Sequence, residues 1–202
     1  MTGSLPGGPG PADDATVIAE SLAEPDRFAV LFDRHAPLIH RYAGRRAGPQ
    51  AADDVVAETF LAAFRRRASY DLRYRDARPW LYGIATNLIS QHRREEVRQV
   101  RLRQAALPEL DHPGHGDRVV ADVTAGAMRG LLAAALAGLS EGDRDVLLLI
   151  AWEQLTYDET AHALGIPVGT VRSRLNRARG VARAALADTA AAGTLKEILS
   201  ND

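Results

Sequence analysis

A helix, a glycine turn and an arginine-rich helix follow one another in LTYDETAHALGIPVGTVRSRLNRAR, residues 155–179, and this pattern constrains the fold most strongly. Thr156 and Glu159 have the spacing of a capping box, which predicts the start of the first helix. Gly165 favours the end of that helix, and Pro167 suits the first turn of the next one. Two short helices joined by a glycine turn are typical of a helix-turn-helix, whose second helix enters the DNA major groove.

The second helix is predicted to have an apolar back and a hydrogen-bonding front. At 3.6 residues per turn, the back consists of Val168, Val171, Leu175, Ala178 and Ala182. The front consists of Arg172, Ser173, Asn176 and Arg177. Arginine can bind guanine through two hydrogen bonds, asparagine can bind adenine in the same way, and serine suits bases or phosphates. A surface αα-hairpin with solvated arginines is the alternative interpretation of the same pattern.

The net charge of −1 hides an uneven distribution along the chain. Residues 65–103 contain 11 arginines and four acids, and residues 171–183 contain five arginines and no acid. Local excesses of this kind indicate a polyanionic partner better than the total charge does.

Composition excludes several classes of protein. The absence of cysteine excludes a disulfide framework and a cysteine zinc site. No apolar run approaches the roughly 20 residues that span a bilayer, and the Gly/Pro-rich, acidic residues 1–15 lack the features of a signal peptide, so disorder and a cytoplasmic location are expected. His112 and His115 stand in a Pro/Gly-rich segment without nearby ligands, and no catalytic constellation is recognisable. We therefore expect no metal, no cofactor and no enzymatic activity.

The hydrophobic spacing predicts an all-α chain of two small helical domains joined by a flexible linker. After the disordered lead, the domains are expected at residues 16–97 and 128–187, with the linker at 98–127 and a tail at 188–202. A flexible chain of about thirty residues spans roughly 30 Å. That distance is close to one turn of B-DNA, ~34 Å.

Aromatic and basic residues interleave between the second and third helices of the first domain. The aromatic residues are Tyr70, Tyr74 and Trp80, and the arginines are Arg65, Arg66, Arg67, Arg73, Arg75 and Arg78. Rings that stack on bases and cations that meet phosphates suit single-stranded nucleic acid. A solvated loop with a tyrosine packed on the core fits the pattern equally well.

Three motifs in this order resemble a known family. They are DDVVAETFLAAFRR (53–66), RPWLYGIATNLISQHRR (78–94) and the long segment LSEGDRDVLLLIAWEQLTYDETAHALGIPVGTVRSRLNRAR (139–179). Over residues 25–185 the chain resembles bacterial sigma factors of the small extracytoplasmic-function (ECF) group of the sigma-70 family. The resemblance implies a promoter-specificity factor that binds core RNA polymerase. An autonomous helix-turn-helix regulator, whose first domain binds an effector or dimerises, is the alternative.

The resemblance also implies residue roles. Residues 52–66 match the segment that binds the β′ clamp of RNA polymerase, where we expect contacts from Asp54, Glu58, Phe60 and Phe64. Residues 69–94 match the part that melts and reads the −10 element, where we expect contacts from Tyr70, Trp80, Asn87, Arg93 and Arg94. Residues 155–179 match the reader of the duplex −35 element, through Arg172, Ser173, Asn176 and Arg177. The β flap of the polymerase and an anti-sigma factor are further partners implied by the resemblance, and no membrane insertion is expected.

Overall fold

The structure is a computed structural model that describes residues 12–106, 136 and 138–199. It divides into an N-terminal and a C-terminal helical unit, with the main boundary after Arg98. The α-helices of the described ranges are α1 (Asp14–Ala23), α2 (Ala29–Ala47), α3 (Pro49–Arg66), α4 (Arg78–Ala106), α5 (Glu141–Ala151), α6 (Tyr157–Leu164) and α7 (Val168–Leu199). These ranges contain no β-strand. The prediction of an all-α chain with two helical domains is confirmed.

The core of the N-terminal unit consists of the apolar sides of α2, α3 and α4, as their spacing predicts. Leu31 and Ile39 of α2, Val55 of α3 and Leu81 of α4 are each at most 1% exposed. Burying a side chain of this size contributes about 1.5–3 kcal/mol. The packing of this core determines which sides of α3 and α4 face outward, and so positions the candidate site residues on these helices.

A buried hydrogen-bond chain ties α2 to α4. The rings of Tyr42 and Tyr82 meet edge to face, with their centroids 5.3 Å apart. The hydroxyl of Thr86 donates to the carbonyl of Tyr82 (2.7 Å), so it accepts a hydrogen bond from the Tyr42 hydroxyl, also 2.7 Å away. The chain satisfies both buried hydroxyls, which would otherwise carry a desolvation cost.

Helix α1 begins inside the segment that was expected to be disordered. The carboxylate of Asp13 accepts hydrogen bonds from the N–H (2.9 Å) and the hydroxyl (2.8 Å) of Thr16. Ile18 in the following turn is fully buried. The helix therefore begins at Asp14, two residues before the predicted start of the first domain at residue 16, because the Asp13 carboxylate caps it there.

Helices α4 and α7 run past the predicted domain boundaries. Helix α4 continues to Ala106, across the start of the predicted linker 98–127. It contains neither proline nor glycine after Gly83, so nothing in this stretch terminates it. The backbone of α7 continues to Leu199, across most of the predicted tail 188–202. Its alanines have the highest helix propensity of any residue, which accounts for the difference.

Several expectations concern residues outside the described ranges. They are the disordered lead at 1–11, the remainder of the linker at 107–127 with His112 and His115, the start of the second domain at 128–135, and the chain end at 200–202.

The C-terminal unit is built on contacts between α5 and α7. Val146 and Leu149 of α5 and Val171 and Leu175 of α7 are at most 2% exposed. Their burial fixes one side of α7 and determines which of its side chains face outward.

Candidate nucleic-acid interface

The helix-turn-helix forms at the residues that the sequence indicates. At the start of α6, the N–H of Thr156 donates to Oε2 of Glu159 (2.7 Å) and the N–H of Glu159 donates to Oγ1 of Thr156 (3.2 Å), which is a reciprocal capping box. After α6, Gly165 has a φ of 62°, which a residue without Cβ adopts without strain. The carbonyl of Pro167 then accepts the N–H of Thr170 (2.9 Å) in the first turn of α7.

The first turns of α7 have the two faces that were predicted. The back is buried at 2% exposure or less by Val171, Leu175 and Ala178. Arg172, Ser173 and Asn176 are exposed on the front. The hydroxyl of Ser173 donates to the carbonyl of Thr170 (3.0 Å), which leaves its lone pairs free to accept a further bond. A firmly anchored helix with outward donors has the arrangement that a major-groove reader requires.

Arg177, the fourth predicted member of this front, is already paired. Its guanidinium donates to both carboxylate oxygens of Asp143 on α5, at 2.8 and 3.3 Å. Burial raises the pKa of the Asp143 carboxyl, but hydrogen bonds from Arg177 and Ser140 outweigh that effect and hold the pKa below its ordinary value. Arg174 also lies against α5, since a Cβ on Gly142 would come within 2.5 Å of its guanidinium. Two of the arginines of α7 therefore help to hold it on α5.

Tyr70 lies inside the loop that precedes α4. It is 8% exposed, and its ring centroid is 4.9 Å from that of Trp80. Its hydroxyl donates to the carbonyls of Tyr74 (2.7 Å) and Asp76 (3.2 Å). Burial, together with the nearby acids, raises the pKa of Tyr70, so the hydroxyl stays protonated as a donor. Tyr70 thus holds the loop together and presents little ring surface for stacking.

Arg73 in this loop and Arg78 at the start of α4 are paired with neighbouring acids. The Nε of Arg73 donates to both oxygens of Asp71, at 2.9 and 3.0 Å. The Nε of Arg78 donates to Asp76 (2.8 Å). Hydrogen bonds from Arg73 lower the pKa of Asp71 to about 2. The charge excess of the sequence is partly compensated within the loop itself.

Helix α4 carries the remaining predicted single-strand contacts. Trp80, Asn87 and Arg94 recur every seven residues, so they lie along one side of the helix at intervals of about 10 Å. Trp80 is half-buried, whereas Asn87 and Arg94 are exposed. Arg93 is exposed as well, but the helical repeat places it on another side.

The acidic residues predicted to meet the polymerase are accessible on α3. Asp54 and Glu58 are both exposed and lie one turn apart. The carboxylate of Glu58 is 2.9 Å from Nε2 of His92 on α4. Because an ionised carboxylate can only accept, His92 is the donor of this bond.

The aromatic residues predicted for the same face are mostly internal. Phe60 is 6% exposed, and its ring centroid lies 4.9 Å from that of Phe32. Phe64 is half-buried, with its centroid 5.3 Å from that of Phe28. Two apolar side chains that the sequence did not single out are exposed instead: Leu61 (49%), one turn after Glu58, and Phe32 (45%), against Phe60. Leu61 lies seven residues after Asp54, so helical spacing from that acid is the signal that identifies it.

A search of the described residues reveals no group of three or more metal-ligating side chains. None of the helices in the described ranges is both long and apolar enough to cross a membrane.

Comparison with known proteins identifies the family. The sigma-70 region 2 family model matches residues 31–99, and the sigma-70 region 4 model matches residues 129–180. The chain is 36% identical over 166 residues to the ECF RNA polymerase sigma factor SigL of Mycobacterium tuberculosis, and the match spans 81% of this chain and 91% of SigL. The chain belongs to the ECF sigma factors of the sigma-70 family. In this sigma factor, the region 2 match includes all of α3, and α1 precedes it.

Solved structures of sigma factors have a similar fold. CnrH of Cupriavidus metallidurans, in complex with the cytosolic domain of CnrY, aligns with a TM-score of 0.61 and 25% identity over 87% of this sigma factor and 97% of the CnrH chain. RpoE of Bartonella quintana, in complex with the anti-sigma factor NepR, aligns with a TM-score of 0.60 over 79% of this chain and 96% of its own. The RpoE match is 22% identical, so it bears on the fold alone.

Proposed function

We propose that this sigma factor binds core RNA polymerase in the cytoplasm and directs it to one class of promoter, without a catalytic site of its own. The observation that carries the proposal is the exposed front of α7, anchored through its apolar back, in a chain that matches both sigma-70 regions 2 and 4. A promoter factor needs one surface for duplex DNA, one for melted DNA and one for the polymerase.

The duplex −35 element is read by α7. Arg172 and Asn176 supply donors for base edges, and Ser173 supplies a small group that suits either a base or a phosphate. Arg177 contributes less than Arg172, because it must share its guanidinium with Asp143.

The melted −10 strand lies along the outer side of α4. Asn87 contacts an extruded base, Arg93 and Arg94 meet phosphates, and Trp80 supplies the edge of a stacking surface. Extruding a base costs a few kcal/mol, which amide and ring contacts must offset. The role of Tyr70 is indirect, since its hydroxyl organises the loop that leads into α4.

The polymerase clamp meets the exposed side of α3. Asp54 and Glu58 supply charge, and the exposed side chains of Leu61 and Phe32 supply apolar surface. Phe60 and Phe64 support this side from within. The C-terminal unit meets the β flap.

An anti-sigma factor holds the protein inactive until a signal releases it. This part of the proposal is supported by the CnrH structure, in which a sigma factor of similar fold is in complex with the cytosolic domain of CnrY.

A gel-shift titration with and without core polymerase tests the proposal. Each basic surface alone neutralises few phosphates, so we expect weak, salt-dependent binding of ~10⁻⁴–10⁻⁶ M by the isolated protein. Added core enzyme should convert it to tight, sequence-selective binding. Nanomolar selective binding by the isolated protein at physiological salt would instead establish an autonomous helix-turn-helix regulator.

A charge-reversal pair tests the polymerase surface. The double variant Asp54→Arg and Glu58→Arg should lose affinity for core enzyme and remain helical by circular dichroism, because both side chains are exposed. The matched control reverses two exposed acids elsewhere, Glu24→Arg and Asp26→Arg, and should bind core enzyme normally. Equal affinity of the two double variants for core enzyme would mean that this side of α3 does not contact the polymerase.

A further inference from the structure

Asp14, the first residue of α1, is a buried acid that connects distant parts of the N-terminal unit. It is 6% exposed. Its carboxylate lies 3.0 Å from Nη1 of Arg34 and 2.8 Å from Nε2 of His35, both on α2. It also accepts the backbone N–H of Ala77 at 2.9 Å, across 63 residues of sequence.

The same residue binds the loop a second time through its backbone. The N–H of Asp14 donates to the carbonyl of Arg75 (3.1 Å). Asp14 therefore holds the loop on both sides of Asp76, immediately before α4 begins at Arg78. The Tyr70 hydroxyl binds the carbonyls of Tyr74 and Asp76 in the same loop. Asp14 and Tyr70 together therefore determine how the chain enters α4.

The chemistry of this anchor requires an ionised carboxylate. Burial raises the pKa of Asp14, but hydrogen bonds from His35, the Ala77 N–H and Arg34 outweigh it and lower the pKa to about 2. Because an ionised carboxylate can only accept, it accepts a hydrogen bond from the Nε2–H of His35. The other ring nitrogen of His35, Nδ1, is buried without a hydrogen-bond partner in the described part of the chain. The bond to Asp14 is therefore the hydrogen bond that orients the His35 ring.

We infer that Asp14 is a positioning residue for the −10 reader: it fixes the loop at residues 75–77 and thereby the start of the helix that carries Trp80, Asn87 and Arg94. The inference rests on the proposed role of α4 in binding the melted strand. It assigns part of that reader to a helix that precedes the residues matched by the region 2 model, 31–99. Asp14 itself is too buried to contact DNA.

The test measures binding of single-stranded DNA by holoenzyme that contains full-length variants. The probe is a labelled non-template −10 oligonucleotide, selected from a random pool by the wild-type holoenzyme. We expect Asp14→Ala to weaken oligonucleotide binding about tenfold. Without Asp14 the loop is less ordered in the free protein, and ordering it on binding then costs free energy. Affinity for core enzyme and for duplex −35 DNA should remain within twofold, roughly the error of such assays, since the hydrogen-bond partners of Asp14 lie on α2 and in the loop before α4.

Three matched variants separate positioning from general stability. Ile18→Ala, which truncates a buried side chain of the same helix that makes no hydrogen bond to residues 75–77, should lose thermal stability and keep its oligonucleotide affinity at temperatures where it is folded. Asp26→Asn removes an exposed acid from the same end of the chain and should behave as wild type. Asp14→Asn keeps the shape of the side chain and decides the matter if Asp14→Ala fails to fold.

The outcomes distinguish this inference from the proposed function. If Asn87→Ala loses oligonucleotide binding while folded Asp14→Ala and Asp14→Asn retain it, Asp14 is structural only and the inference is overturned. If Ile18→Ala weakens oligonucleotide binding as much as Asp14→Ala does, general stability explains the effect and the inference is again overturned. If Asn87→Ala has no effect, the assignment of α4 to the melted strand is itself wrong.

Discussion

The two proposed DNA-reading regions engage their arginines differently. In the loop before α4 and at the first residue of α4, three arginines face an acid, in the pairs Arg73–Asp71, Arg75–Asp13 and Arg78–Asp76. On the front of α7, Arg172 has no ion pair with any described residue, and Arg177 has one, with Asp143. The helix therefore presents charge that is ready for phosphate or guanine, whereas the loop uses much of its charge to keep its own shape. The number of arginines in the loop therefore overstates the positive charge that is available to bind DNA.

The largest effect should come from an unpaired arginine of α7. Arg172→Ala should weaken use of the duplex −35 element by ~1–3 kcal/mol if its contact to guanine is bidentate. Arg73→Ala should cost only ~0–1 kcal/mol on a pre-melted template, because its exposed pair with Asp71 must be exchanged for a phosphate contact. Transcription from duplex and pre-melted templates, measured for both variants, provides the comparison. Equal losses for the two arginines would contradict it.

Titration in acid should reveal how strongly the loop depends on an internal carboxylate. The pKa of Asp14 is lowered from 3.8 to about 2, so its stabilisation is present above about pH 4 and is lost as the pH falls toward 2. The shift corresponds to about 2 kcal/mol. We expect the free energy of unfolding of Asp14→Asn to be lower at neutral pH and flatter between pH 4 and 2 than that of the wild type.

Asp71 supplies the control for that titration. Its pKa is also lowered by Arg73, but the arginine side chain is 86% accessible and only two residues away, so the unfolded chain can form much of the same pair. Asp71→Asn should therefore leave the acid unfolding curve nearly unchanged. If the free energy of unfolding of Asp71→Asn depended on pH as weakly as that of Asp14→Asn, the two acids would contribute equally to acid stability in spite of their different burial.

A smaller effect is expected for the hydroxyl of Tyr70. Tyr70→Phe keeps the ring and removes the hydrogen bonds to the carbonyls of Tyr74 and Asp76. We expect a loss of about 1 kcal/mol in the stability of the N-terminal unit, with −35 affinity unchanged. Thermal unfolding of the variant measures the loss, and an unaltered Tm would show that the hydroxyl does not hold the loop.

The smallest predicted effect concerns the paired arginine of α7. Asp143→Asn should free Arg177 and strengthen non-specific duplex binding by roughly twofold to threefold, in keeping with a partly exposed ion pair. In an Arg177→Ala background the same change should have no effect, which a double-mutant cycle measures. An equal gain in both backgrounds would mean that Asp143 acts on DNA directly and not through Arg177.

Local patterns in the sequence predicted local structure well. The capping box at Thr156 and Glu159, the turn at Gly165 and the apolar back of α7 all depend on neighbours within a few positions. The pairing of Arg177 does not, because helical spacing cannot reveal an acid on α5. The alternation of aromatic and basic residues left the position of Tyr70 open between base stacking and packing on the core, and the structure shows that Tyr70 is buried.

Long-range contacts account for most of what the sequence did not reveal. Asp14 stands beside a Gly/Pro-rich, acidic lead whose composition is typical of disorder, and its partner Ala77 is 63 positions away. Phe32 has the spacing of a core residue but lies at the edge of the core, against Phe60. In both cases the environment of the side chain is determined by tertiary packing, which periodicity does not encode.

The bond between Glu58 and His92 joins the proposed polymerase surface on α3 to the proposed DNA-binding helix α4. A partner that draws the Glu58 carboxylate away from His92 changes the free energy of α4, and thermodynamic linkage makes that effect reciprocal. A melted strand bound along α4 then alters the affinity for polymerase by the same factor. Because both side chains are partly exposed, the coupling through this bond is at most ~1 kcal/mol, or about fivefold.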